Sequence, residues 1–364
     1  MLKQIFFTPG PSQLYPTISQ HLQNATREQI GSISHRGKKF QMIFQEMKES
    51  LIDVLNIPPN YEIFLTSSAT EIWERIIQNL IINSSHHFVN GSFSQRFFNF
   101  TTAYKLKSTS QISNFNQEFN DFEVPNSAEL ISITQNETSI GYTFNPAKIK
   151  KIRENNPNKL IALDLVSAVP ATPVNLNLVD TAYFSVQKCF GLPAGMGIWI
   201  VGPKCFEVSK EKESKNEIVG SYHSLSELKS SGDKNQTPET PNILSLYLLK
   251  NVLNDMQLKG IKTIQNETKY KSALIYQIFD KTSKLKTIIP QSFNRSKTVC
   301  VSEIVGGNKG LIEYLKSKNI IIGSGYGDFK SKHIRIANFP AHSKESIEML
   351  VDEISKYFDD KITG

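Results

Sequence analysis

The sequence predicts an α/β protein: a mostly parallel sheet covered by helices on both faces, followed by a smaller α+β unit. Three observations carry this. Short apolar runs alternate with helix-periodic segments through the first two thirds of the chain. Those runs are near-continuously apolar, as strands buried on both faces are. The texture then changes near Pro241, where long helices lead into short strands. The chain has 364 residues, enough for one large domain and a smaller one. The expected division is 16–245 and 246–364.

The elements come in this order. Phe40, Ile43, Phe44, Met47, Leu51, Val54 and Leu55 keep helical spacing and stop before Pro58-Pro59. "EIFLT" (62–66) reads as a strand and "TEIWERIIQNLII" as a helix. "HHFVN" reads as a strand, "SFSQRFFNFTTAY" as a helix and "LISIT" (130–134) as a strand. Pro146 opens the helix "PAKIKKIREN", and "KLIALD", "TAYFSV" and "GIWIV" are strands. A polar loop is expected at Ser230–Thr240. Beyond it come two long helices (242–256 and 261–280), the strands "KTVCVSEI", "NIIIG" and "HIRIAN", and a closing helix at 343–358.

Composition narrows the function classes. The formal net charge is +7, but the excess is scattered lysine interleaved with acids, without a basic stripe, so nucleic acid is not an expected partner. Cys189, Cys205 and Cys300 are unevenly spaced, which argues against a disulfide framework and a zinc site and fits a reducing cytoplasm; no metal is expected. The N-terminal apolar run meets Pro9 too soon for a signal peptide, and Ile76–Ile82 is too short and too interrupted to span a membrane.

In open α/β sheets ligands sit beyond the carboxyl ends of the strands. After "EIFLT" comes Ser67–Thr70, small residues and hydroxyls at a helix start, where free N–H groups and the helix dipole favour a phosphate; a plain Ser/Thr cap reads the same way. Asp164 ends "KLIALD", either as a turn former or as a carboxylate for a cationic ring nitrogen. Lys188 comes after the next apolar run, where little surface patterning surrounds it, and a desolvated lysine amine can form a Schiff base with a carbonyl. One cofactor needs a phosphate cradle, a carboxylate and such a lysine together: pyridoxal 5'-phosphate.

The pieces "FTPGPS", "SHRGKKF", "FLTSSATE", "GSFSQRF", "NETSIG", "LDLVSAVP", "SVQKCFGLPAG", "NQTPETP" and "HIRIAN" run in order along nearly the whole chain. In them the sequence resembles the class V group of fold-type I pyridoxal-phosphate aminotransferases, nearest the phosphoserine branch and next the alanine/serine–glyoxylate branch. The resemblance implies a seven-stranded cofactor domain, a small C-terminal domain with segment 1–15 joining its side, and a homodimer. It implies Lys188 as the Schiff-base lysine and Asp164 as the pyridinium partner. Ser68, Ala69, Thr70 and Gln187 would hold the phosphate, with Gln236 and Thr237 reaching it from a neighbouring subunit. Phe93 replaces the family's usual Trp and keeps a π-face without the indole N–H. Thr138 would contact the ring-oxygen side. Arg335 would grip the α-carboxylate, and His35 and Arg36 a distal anion.

The resemblance further implies a ping-pong transaminase with glutamate as donor and a phosphohydroxypyruvate-type 2-oxo acid as acceptor, in serine biosynthesis. One departure keeps a glyoxylate-type acceptor open. The register puts Asp328-Phe329 where the phosphoserine branch has a second His-Arg pair. A cysteine-desulfurase-like lyase is the remote alternative; Gln187 before the lysine and the strand-patterned Cys300 argue against it.

Overall fold

The computed structural model describes residues 4–114, 117–119 and 121–359. Its larger sheet has seven strands in the order Glu62–Thr66, Gly197–Val201, Thr181–Ser185, Leu160–Asp164, Leu130–Thr134, Ser85–Val89 and Thr109–Ile112. Gly197–Val201 opposes both of its neighbours, while the other six run one way. It returns from Thr181–Ser185 through residues 186–196 without a crossover helix, and a connection of that kind makes an antiparallel pair.

Leu130–Thr134, Leu160–Asp164 and Thr181–Ser185 are buried at every position, which is why their sequences read as unbroken runs rather than as alternation. Alternate residues feed two cores. Phe64, Tyr183 and Trp199 pack with Ile72, Trp73 and Ile76 on one face. Ile63, Leu65, Phe184, Ile198 and Ile200 belong with Phe40, Phe44 and Met47 on the other. Local chemistry fixes the helix starts: the Ser68 hydroxyl accepts from Glu71 N at 3.2 Å to cap Ala69–Leu80, and Asn145 caps Pro146–Asn155.

The smaller sheet runs in the order Ile5–Phe7, Ile320–Ser324, His333–Ala337, Val299–Ile304 and Leu285–Thr287. Ile5–Phe7 pairs parallel with Ile320–Ser324, so the chain's start is stitched to its last third. Phe7, Ile275, Phe279, Leu311, Ile334, Ile336 and Leu350 form its core, and Cys300 is buried among them.

One sequence expectation needs correction, and one strand was missed. Ser230–Gly232, expected in a polar loop, is the last turn of the helix Leu225–Gly232, whose buried apolar side chains are Leu225 and Leu228, too few to read as a helical stripe. The edge strand Thr109–Ile112 was legible neither by pattern nor by burial, since none of its residues is buried. Among the described residues no helix is long and apolar enough to cross a membrane.

Candidate active site

Thr134, Asp164 and Tyr183 stand in register on three adjacent strands at the carboxyl end of the larger sheet. A cavity of about 460 Å³ opens there, lined among others by Ala69, Thr70, Phe93, Thr138, Asp164, Gln187, Lys188 and Arg335. A larger groove, about 1080 Å³, runs along Phe6, Pro11–Pro16, Ile18, Asn319 and Ala341, but no amine or carboxylate side chain lines it. The reactive groups gather in the smaller one.

Lys188 comes just after the strand Thr181–Ser185 and is 6% exposed. Its Nζ donates to Thr138 Oγ1 at 3.1 Å and lies 5.0 Å over the Phe93 ring. Burial pushes the amine down from 10.5 to about 8, against the pull of Asp164. Gly10 closes over it: a Cβ there would stand 2.9 Å from Lys188 Cε, so the N-terminal segment approaches the lysine as only glycine permits.

Asp164 ends its strand with the carboxylate inward. Val166 N donates to Oδ1 at 2.8 Å, and the Tyr183 hydroxyl also bonds it. Burial outweighs these bonds and the nearby Lys188 charge, and pushes the carboxyl up to about 7. Trp73 Nε1 donates to the Tyr183 hydroxyl at 2.8 Å, so a buried indole sets the phenol that faces Asp164.

The helix Ala69–Leu80 points its start at the cavity. Ala69 N donates to Ser185 Oγ at 2.8 Å, tying the turn to the strand end before Lys188. Ser68 does not line the cavity; its hydroxyl is spent on the cap. A Cβ on Gly197 would meet Ser68 C and Thr66 Oγ1 at 2.5 Å, so the antiparallel strand must pass this turn with a glycine.

Phe93 is placed by a residue the sequence did not flag. Glu137 is fully buried and accepts from Phe93 N at 3.3 Å, Ser94 N at 3.0 Å, Ser94 Oγ at 3.0 Å, Ser139 N at 3.2 Å and Ser139 Oγ at 2.6 Å. A carboxylate at the start of the helix Ser92–Ala103 meets its free N–H groups and its dipole. Glu137→Gln turns an amide donor toward these donors. We expect a loss of about 2 kcal/mol, read as a lower urea midpoint; an unchanged midpoint would show that the carboxylate is not the anchor.

Arg335 reaches the cavity from the smaller sheet, with Nε donating to the Ser324 carbonyl at 2.8 Å. Tyr326, also unflagged by the sequence, lies beside it, its ring centroid 5.4 Å from the Arg335 Cζ. His35, Arg36, Gln236 and Thr237 do not line the cavity within one chain. His35 Nδ1 stands 3.4 Å from Thr240 Oγ1 instead, and Thr237 Oγ1 donates to the Glu239 carbonyl at 2.7 Å. Asp328 and Phe329 are likewise outside the cavity, where Phe329 stacks on His333 at 4.5 Å.

A buried lysine and a buried aspartate at the carboxyl end of such a sheet, with an arginine opposite, fit the aminotransferase class. Residues 5–328 match the Aminotransferase class-V family, and the chain belongs to it. Its activity is therefore amino-group transfer between amino acids and 2-oxo acids. The crystal structure of a phosphoserine aminotransferase from Cytophaga hutchinsonii is 40% identical, with a TM-score of 0.96 over 98% of this chain and 99% of that one. A phosphoserine aminotransferase of Rhodococcus opacus is 25% identical over 354 residues, 96% of this chain and 93% of the relative. An alanine–glyoxylate aminotransferase from Nostoc sp. shares the fold at a TM-score of 0.84, with 18% identity, covering 98% of this chain and 95% of that one.

Proposed function

We propose that the chain is a transaminase of the phosphoserine type that holds pyridoxal phosphate in the 460 Å³ cavity, with glutamate as donor and a phosphohydroxypyruvate-type acceptor. The observation that carries it is the convergence in one cavity of a buried amine, a buried carboxylate and a helix start. The residues fit that cofactor. Asp164 is a carboxylate that burial has left short of a countercharge, which a protonated ring nitrogen would supply. The 40% identity to a phosphoserine aminotransferase along almost the whole chain supports the substrate class.

Pyridoxal phosphate, when bound, supplies an aldehyde that bonds an amine and a ring that accepts the electron pair left at the substrate Cα. Lys188 would hold that aldehyde and, once displaced, would take the proton from the substrate Cα through Nζ and deliver it to the former aldehyde carbon. An amine with its pKa near 8 suits both directions at neutral pH. Asp164 keeps a negative charge opposite the ring nitrogen. Ala69, Thr70 and Gln187 hold the phosphate at the helix start, with Ser68 keeping that start in shape. Phe93 gives the ring a π-face, and Thr138 steadies Lys188. Arg335 turns its two free Nη groups to the substrate carboxylate.

Four residues outside the cavity belong to this reading through a homodimer. Gln236 and Thr237 reach the phosphate, and His35 and Arg36 the distal anion, of the neighbouring subunit. The division at 245/246 and a cytoplasmic setting, which three buried free cysteines suit, complete the proposal.

The substrate is tested with glutamate as donor and phosphohydroxypyruvate, glyoxylate and pyruvate as acceptors. Phosphohydroxypyruvate should give the highest kcat/KM, by about tenfold or more, an estimate scaled to one added charge-assisted contact. A preference for glyoxylate would move the chain to the glyoxylate type. One observation favours that second reading: Lys188 and Arg335 are the only cationic side chains among the described residues lining the cavity, and Asp328 brings none. Arg335→Lys should raise the KM for both substrates by about tenfold or more, because a point charge cannot replace a bidentate fork. An unchanged KM would remove Arg335 from the site.

A further inference from the structure

Arg335 is fixed along one edge by its Nε bond to the Ser324 carbonyl at 2.8 Å. One bond does not set the plane of a guanidinium on a flexible stem. A second contact is made here: the guanidinium lies over the Tyr326 ring, with the centroid 5.4 Å from Cζ. Tyr326 also meets Phe93, with ring centroids 5.4 Å apart and planes tilted by 41°. Phe93 in turn carries the Lys188 ammonium at 5.0 Å. Tyr326 therefore bridges the cavity, from a helix of the larger sheet's layer to a strand of the smaller sheet.

The turn that presents Tyr326 is held by its own backbone. Gly325 N donates to the His333 carbonyl at 2.7 Å, and Phe329 N to the Tyr326 carbonyl at 3.1 Å. A Cβ on Gly325 would stand 2.0 Å from the Phe329 carbonyl oxygen, so the turn closes at that tightness with glycine alone. The Phe329 ring stacks on His333 with planes 7° apart. The tyrosine is thus delivered to one place rather than left to search for it.

We infer that Tyr326 is a positioning residue for the substrate carboxylate: its ring holds the Arg335 guanidinium in plane and covers one face of it, so that the carboxylate meets a pre-set fork. A guanidinium stacked on an aromatic ring gains electrostatically from the ring face and loses little on desolvation. Pre-organisation of this kind contributes to binding and leaves the chemical step alone. The inference rests on the reading of Arg335 as the carboxylate anchor.

The test uses the holoenzyme and glutarate, a dicarboxylate without an amino group, titrated by calorimetry into wild type, Tyr326→Ala, Tyr326→Phe and Arg335→Lys. Tyr326 is 37% exposed on a turn, so the alanine variant is expected to fold, which circular dichroism checks. Tyr326→Ala should bind glutarate about tenfold more weakly and raise the glutamate KM by a like factor, with kcat within about twofold. Tyr326→Phe, which keeps the ring, should restore affinity to within about twofold of wild type. Unchanged affinity in Tyr326→Ala beside a weakened Arg335→Lys would overturn the inference and leave the anchor standing. Unchanged affinity in Arg335→Lys would overturn both. A phenylalanine variant as weak as the alanine one would show that the hydroxyl acts, not the stacked ring, and would also overturn it.

Discussion

Lys188→Ala is expected to lower turnover by about three to four orders of magnitude, the loss expected on removal of a positioned proton-transfer group. The effect should fall on kcat with little change in fold, since among the described residues the side chain hydrogen-bonds Thr138 and makes a cation–π contact with Phe93. The wild-type amine carries its own signature. Because burial brings it from 10.5 down to about 8, the neutral, nucleophilic fraction rises as pH climbs through about 8. Capture of pyridoxal phosphate by the cofactor-free protein, monitored by absorbance, should therefore quicken from pH 7 to 9 and level off above. An increase continuing past pH 10 would mean an ordinary solvated lysine, and normal turnover by the alanine variant would mean that another amine acts.

Asp164→Ala has the second largest expected effect, a loss of about 10²–10³ in kcat, the size seen when a fixed electrostatic group is removed from a site. The carboxylate is bonded by Val166 N–H and the Tyr183 hydroxyl, and burial drives it toward the neutral acid. A group held against its preference in this way is destabilised until a cation arrives, so its interaction with a cationic ring nitrogen is strong. Asp164→Asn should behave like the alanine variant, because shape without charge does not hold the proton on the ring. Both should also bind pyridoxal phosphate more weakly in a titration. Near-wild-type rates in Asp164→Asn would show that the charge is not used.

Much of the frame was legible because strand ends and buried runs coincide. Asp164 and Lys188 stood out in the sequence as charged residues at the ends of unbroken apolar segments, and the strands Leu160–Asp164 and Thr181–Ser185 are buried throughout for that reason. Phe93 and Thr138 needed the motif resemblance, since a phenylalanine near a helix start and a threonine in a turn carry no pattern of their own. Glu137 was passed over because nothing local marks it as buried. Its burial comes from the turn at 91–94, and a Cβ on Gly91 would stand 2.4 Å from its Cγ. Tyr326 sits in a glycine turn of polar character, and what gives it a role is the contact with Phe93. Pairing of Ile5–Phe7 with Ile320–Ser324 joins opposite ends of the chain, which periodicity cannot register.

The same limit explains the four residues left outside the cavity. Their motifs were plain in the sequence, yet His35 stands near Thr240 and Thr237 bonds within its own segment. In the proposed homodimer a site completed by a second copy would be visible in one chain as two half-sites. Cofactor content and turnover should accordingly rise together with dimer formation on dilution and reconcentration.

The central claim is that Lys188 is the amine that bonds the cofactor. Borohydride treatment of the cofactor-loaded protein, then proteolysis and mass spectrometry, tests it most directly. The expected result is loss of the yellow absorbance and one pyridoxyl group, on Lys188, in the peptide that carries "SVQKCFGLPAG". A pyridoxyl group on any other lysine, or on none, would contradict it.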